Sequence, residues 1–211
     1  MSDCTVTDVD ERVFHLSVTE LVAAIFHGPD ADGWAAIFEV GLPELVARAP
    51  QKLDHLMGLL KNLQDSQPMP LETVAKVSLL ETEYVRLFIS ASGGVTASLY
   101  ESCHLGAAPR IMGDSALSMR SRLNECGLEI ALDSNEPPDH ISIELEYLYY
   151  LFATAWAEED VVLEVKAREF TRLEMVPWIR RFRDKLAQGE PHPVYLNTAD
   201  LTVALLKELG G

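Results

Sequence analysis

Two groups of residues have the types and spacing that chemistry needs. In the first, Glu101 and His104 stand in an E-x-x-H spacing, with Cys103 between them and Cys126 further along. A carboxylate and an imidazole three residues apart share one helix face, which is how some metal ligands are delivered. A di-iron bundle needs two such pairs and two further glutamates. None of His15, His27, His55, His140 and His192 has a glutamate three residues before it. A lone E-x-x-H in an acidic chain is mostly chance, so no metal site is expected. In the second group, Asp139 and His140 are adjacent and Glu144 follows one helical turn later. Such a set can act as a general acid–base pair with a carboxylate orienting the imidazole. The plainer alternative is a helix start in which Asp139 caps and His140 is partly exposed. No nucleophile accompanies them, and the chain lacks a P-loop, a GxGxxG and a GxSxG. Gly93-Gly94 is too short to cradle a phosphate. No catalytic residue and no cofactor is expected, and a small metal- or nucleotide-dependent helical enzyme is the rival reading.

The second group lies in SNEPPDHISIELEYLYYL, Ser134 to Leu151. Ile141, Ile143, Leu145 and Tyr147 alternate with Ser142, Glu144 and Glu146, the period of a half-buried strand. The apolar run continues through LYYLFATAWAEE, far past strand length, and no partner strand is evident, so a helix is expected. Pro138 suits its first position and Asp139 its first turn. At about 100° per residue, Ser142, Glu146 and Ala153 share one face, and His140, Glu144, Tyr147 and Leu151 nearly the opposite one.

The remaining chain reads as helices. Ser17 and Glu20 form an S-x-x-E capping box before Leu21, Val22, Ile25 and Phe26, and Gly28-Pro29 ends that helix. Short helices are expected over Trp34–Val40 and Leu42–Arg48, separated by Gly41. Longer ones follow at Gln51–Gln64 and, after Pro68 and Pro70, through Leu71, Val74, Leu80, Tyr84, Leu87 and Phe88. Ser90 to Gly113 reads as a long ordered loop. Asp114 caps the next helix, which Gly127 ends. Val161 to Gln188 is helical with a kink or a new start at Pro177, and a last amphipathic helix carries Leu201, Ala204, Leu205 and Leu209. The expectation is an all-α globular domain, 1–211, of roughly nine to eleven helices. A two-lobed form, 1–132 and 139–211, would place a hinge at 133–138.

The 211 residues are 48% hydrophobic and 24% charged, enough to bury a real core. A formal charge of −16 argues against a nucleic-acid partner, which needs a basic face. Cys4, Cys103 and Cys126 form no C-x-x-C, which favours a reducing compartment. The acidic opening MSDCTVTDVDER has no apolar signal region, and no later run approaches a membrane span, so a cytoplasmic protein without stable membrane insertion is expected.

Several stretches together resemble one family. E-Y-V-R-L-F at Glu83–Phe88, L-Y-E-S at Leu99–Ser102, M-G-D-S at Met112–Ser115, and N-E-P-P-D-H at Asn135–His140 followed by E-L-E-Y-L are similar, in type and order, to the TorD/DmsD/NarJ chaperones of molybdoenzymes, the redox enzyme maturation proteins. The likeness is dense from about Leu71 to Ala157. Phe170 and Trp178 resemble the family's F-L-x-x-H-L-x-x-W pattern, with Glu174 where a histidine is common. GGVTAS precedes Leu99 where several members carry a proline-rich loop with a tryptophan.

The resemblance implies a TorD-like helical fold and a non-enzymatic, cytoplasmic role. The partner would be the precursor of a molybdopterin oxidoreductase, bound through its twin-arginine signal peptide and held until its molybdenum cofactor is inserted. Carried over residue by residue, the peptide site comprises Tyr84, Arg86, Leu87, Phe88, Tyr100, Glu101, Glu136, Pro138, Asp139 and His140. A receptor for two arginines and an apolar run needs carboxylates at one end of an apolar groove. Glu101, Glu136, Asp139 and Glu144 are the candidates for that end, and Leu87, Phe88 and Tyr100 for the floor, with core packing as the alternative for these three. Either a monomer or a homodimer exchanging helices about SNEPPD fits the sequence.

Overall fold

The computed structural model describes residues 6–68, 73–90, 94–105, 111–130 and 136–211. Among the described residues it forms eight helices and no strand beyond one isolated bridge. Helix α1 is Val6–His27. Helix α2 covers residues 31–48, as Ala31–Ala35, a π turn Ala36–Gly41 and Leu42–Arg48. A 3₁₀ turn, Gln51–Leu53, leads into α3, Asp54–Asp65. Helix α4 covers residues 73–89, with Thr73–Tyr84 running into a π turn, Val85–Ile89. Then come α5, Asp114–Glu125, and α6, Ile141–Ala157. Helix α7 covers residues 161–188, as Val161–Glu169, a π turn Phe170–Met175 and Val176–Gln188. Helix α8 is Pro193–Gly210. Residues 133–135 of the expected hinge lie outside the described residues, as do Cys4, Leu71 and Gly93.

The count falls slightly below expectation because helical punctuation was absorbed rather than obeyed. Gly41 keeps helical angles, φ −59 and ψ −53, inside one continuous run. At Pro177 the chain widens into a π turn that ends at Met175, which accommodates a ring that cannot sit beneath the carbonyl four residues back. Ser17 caps nothing, since it lies mid-helix in α1. Phe14, Val18, Leu21, Val22, Ile25 and Phe26 form one buried stripe along α1, and packing that stripe on α6 outweighs a local stop signal. The Thr19 hydroxyl donates to the His15 carbonyl at 2.8 Å, as a residue within a helix does. Asp114 is likewise a first-turn residue. Gly113 is the N-cap, with no side-chain capping bond.

Helix α6 is buried nearly all round and lies between α1 and α7. Helix α8 is buried almost as fully, against α3, α1 and the second half of α7. Its two interior threonines satisfy themselves, Thr198 on the Val194 carbonyl and Thr202 on the Thr198 carbonyl, both at 2.8 Å. An aromatic cluster of Phe26, Phe88, Phe182 and Tyr195 ties α1, α4, α7 and α8 together with ring centroids 5.4 to 6.4 Å apart. Each such ring contributes about 1.5–3 kcal/mol by leaving water.

Tyr84 fixes where α1 ends. Its hydroxyl donates to the Phe26 carbonyl at 3.0 Å, and its ring lies over Gly28, which adopts φ +83. A Cβ at Gly28 would sit 3.0 Å from Tyr84 Cζ, whereas Gly127, at φ +68, has open space around it. Left-handed backbone alone costs about 1–2 kcal/mol for a residue with a Cβ. Gly127→Ala should therefore lose about that much stability in urea unfolding, and Gly28→Ala distinctly more. Equal losses would show that the Tyr84 contact carries no weight.

Candidate functional site

The loop after α4 meets the turn before α6 through three main-chain contacts. Glu101 N–H donates to the Asp139 carbonyl at 3.0 Å, and Ile141 N–H donates to the Leu99 carbonyl at 2.9 Å, forming an antiparallel bridge between Tyr100 and His140. Ser102 N–H donates to the Asp139 carboxylate at 2.9 Å. Pairing with the loop holds His140 extended, at φ −72 and ψ 138, and delays the helix. Pro138 and Asp139 therefore form a turn, closed by His140 N–H on the Pro137 carbonyl at 3.0 Å, and α6 starts three residues later than Pro138. The N-cap is His140, whose Nδ1 accepts from Ser142 N–H at 3.2 Å.

Behind this clip sits a buried polar cluster. Asp139 is fully buried, and its Oδ2 also faces the Ser115 hydroxyl at 3.4 Å, while Oδ1 has no hydrogen-bond partner among the described residues. Glu144, on the inner face of α6, accepts the Trp178 indole N–H at 2.9 Å from α7. Its other oxygen has no hydrogen-bond partner among the described residues, and the Glu101 carboxyl acts on it. Burial accordingly holds Glu144 well above the usual carboxylate range, with Glu101 adding to it. Burial, then Glu174 and Asp139, raises Glu101 to about 7. Glu174 is held by Arg122, whose guanidinium also lies over the Phe170 ring, 5.4 Å from its centroid. His140, also buried, is pushed down to about 4.

The E-x-x-H pair does not converge. Glu101 turns toward Glu144, whereas the His104 ring stacks on Trp178 and its Nε2 contacts the Ser98 carbonyl at 2.7 Å. Among the described residues no three metal-binding side chains come together. None of the described helices is long and apolar enough to cross a membrane.

Tyr100, Glu101, Glu136, Pro138, Asp139, His140 and Glu144 thus meet in one corner, with the Tyr100 hydroxyl donating to Glu136 at 2.6 Å. Tyr84 borders it, close enough for Glu136 to act on its hydroxyl, which burial chiefly raises. Arg86 does not reach this corner. It is held bidentately by Glu83 at 2.6 and 2.7 Å and donates to the Gly189 and Glu190 carbonyls at 3.1 and 3.2 Å, locking α4 to the turn before α8. Leu87 and Phe88 are core residues.

Two of the predicted set line cavities: Arg86 borders a wide, open hollow of about 850 Å³ between α4 and the turn before α8, and Glu136 borders a more enclosed one. The cleft beside Glu136, of about 350 Å³, is walled by Leu123, Leu128, Ile130, Ile143, Tyr147 and Tyr150. Around this apolar wall stand Glu129, Glu136, Glu146, Ser142 and His27. No motif marks His27, Glu129 or Glu146. The available signal was Glu146 itself, a charge on the strongly apolar α6.

With this geometry in view, relatives can be set beside the chain. The chain matches the nitrate reductase delta subunit family over residues 46–184, more than half its length, and belongs to that family. It is 26% identical over 174 residues to the chaperone protein TorD of Vibrio parahaemolyticus, covering 81% of this chain and 77% of that one. It is also 26% identical over 166 residues to chaperone protein TorD of Vibrio cholerae, covering 75% and 70%. The fold is shared, at a TM-score of 0.55 and 23% identity, with the crystal structure of a protein assigned to redox enzyme maturation from Archaeoglobus fulgidus, over 91% of this chain and 93% of that one. The motif resemblance to the TorD/NarJ maturation proteins is thereby confirmed.

The carboxyl pair makes stability pH-dependent. A carboxyl whose folded pKa exceeds its unfolded value near 4.5 binds its proton more tightly in the folded state. Its stabilisation is complete below pH 4.5 and is lost as pH rises through about 7 for Glu101. His140 acts in the opposite sense, costing stability as pH falls from 6.5 through about 4. Glu101→Gln should flatten the fall in urea midpoint between pH 4.5 and 7, and an unchanged slope would contradict the raised proton affinity of Glu101.

Proposed function

We propose that this protein is a cytoplasmic chaperone that binds the twin-arginine signal peptide and the apo form of a molybdenum-containing oxidoreductase. It assists cofactor insertion and withholds export until the client has folded. Membership of the nitrate reductase delta subunit family and relatedness to TorD chaperones support the class.

The observation that carries the peptide assignment is the cleft beside Glu136. An apolar wall rimmed by Glu129, Glu136 and Glu146, with His27 alone on the basic side among the described residues, fits a segment offering cations and then apolar side chains. The formal charge of −16 draws such a segment in from a distance, in a salt-dependent way. The clip of residues 99–102 on 137–141 sets the position of Glu136 through Tyr100, while Asp139, His140 and Glu144 hold the clip from behind. These three residues act on the cleft through packing, and the contacting carboxylates are those at its rim.

Hydrogen bonds to charged groups are worth about 1.5–3 kcal/mol, so losing one carboxylate charge should weaken binding by roughly tenfold or more. Glu136→Gln keeps an oxygen for the Tyr100 hydroxyl and removes only the charge. Calorimetry with the signal peptide of the client should show that loss for Glu136→Gln, and affinity falling with added salt. Affinity unchanged in both respects would sink the assignment.

A further inference from the structure

A second cavity, of about 410 Å³, adjoins the first. It lies between α1 and α6, over Ala23, Ala24, Leu145 and Tyr149, and shares His27 and Glu146 with the cleft beside Glu136. Its floor is apolar because Ala23 and Ala24 are too small to fill the space between the helices. Its rim carries Glu20 and Glu146. The two hollows are thus successive chambers of one trough, with an acid-rich end at Glu129 and Glu136 and a shared step at His27 and Glu146.

We propose that the second chamber receives an apolar side chain of the same cationic segment that the first chamber binds, which fixes the direction and register of that segment; this rests on the reading of the first chamber as a signal-peptide site. The overlap of the two chambers at His27 and Glu146, with Glu129 and Glu136 at one end against Glu20 at the other, supports that occupant. The cations sit at the Glu129 and Glu136 end, and the apolar run that follows passes over the step toward Ala24. Along α1 the second chamber reaches about one turn further back than the first, from His27 to Ala23 and Ala24, while on α6 the two flank the same stretch around Glu146. A helical turn rises 5.4 Å, and an extended chain advances about 3.3 Å per residue, so the seated apolar residue lies roughly two or three positions after the last cation.

The test is a cycle of receptor and peptide variants in calorimetry on the full chain. The probe is a synthetic peptide of two consecutive arginines followed by a leucine run, compared with the same peptide carrying alanine two and three positions after the second arginine. Ala24 is exposed, so Ala24→Trp fills the chamber without burdening the core. Ala24→Trp should weaken the leucine peptide at least tenfold and leave the alanine peptide, already weak, unchanged. Glu136→Gln should weaken both peptides by the same factor. Val13→Trp, on the far cavity between α1 and α2, should change neither. Equal effects of Ala24→Trp on both peptides, or none on either, would overturn the register while leaving the first chamber's role intact. Failure of the unmodified protein to bind either peptide would overturn both.

Discussion

The structure around the site depends on a short piece of extended pairing in a helical protein. Glu101 N–H on Asp139 and Ile141 N–H on Leu99 join the loop after α4 to the turn before α6. Buried main-chain groups must find partners, and these find them in each other rather than in a helix. Once the two strands of chain are joined, Asp139 is drawn inside, His140 becomes the N-cap of α6, and Tyr100 is set against Glu136. Trp178 closes the arrangement from α7 by donating to Glu144.

That arrangement puts acid in two places with different consequences. The inner carboxyls, Glu101 and Glu144, are buried together and burial tightens the hold of each on its proton, so they carry little net charge below neutral pH. The outer ones, Glu129, Glu136 and Glu146, border the cleft, where a charged partner can be met without first breaking the core. Removing ions from water is expensive unless they are paired, which is why recognition is expected at the half-exposed rim and scaffolding behind it.

Much of this was legible in the sequence. Helix class, the positions of α3, α6 and α8 and the Gly127 stop follow from spacing and punctuation. What was missed has specific causes. Ser17 and Gly41 are true local signals that tertiary packing and a π turn overrule, whereas Pro177 does mark a new start, at Val176 after the π turn. The alternation at Ile141–Tyr147 reflects burial of α6 on several sides, which no single-helix period can display. Glu101 and Glu144 are buried together only because a loop 40 residues upstream folds onto α6, a long-range contact with no local trace. His27 and Glu146 face one trough for the same reason.

The central claim is that a cationic, then apolar, segment occupies the trough between α1 and α6. Methyl-labelled protein, with alanine, isoleucine and leucine probes, tests it directly when titrated with such a peptide. The account predicts shifts concentrated at Ala23, Ala24, Leu128, Ile130 and Ile143, with Leu45 and Leu79 undisturbed. Shifts confined to Leu45, by the α1–α2 cavity, or to Leu79, by Arg86, would contradict it.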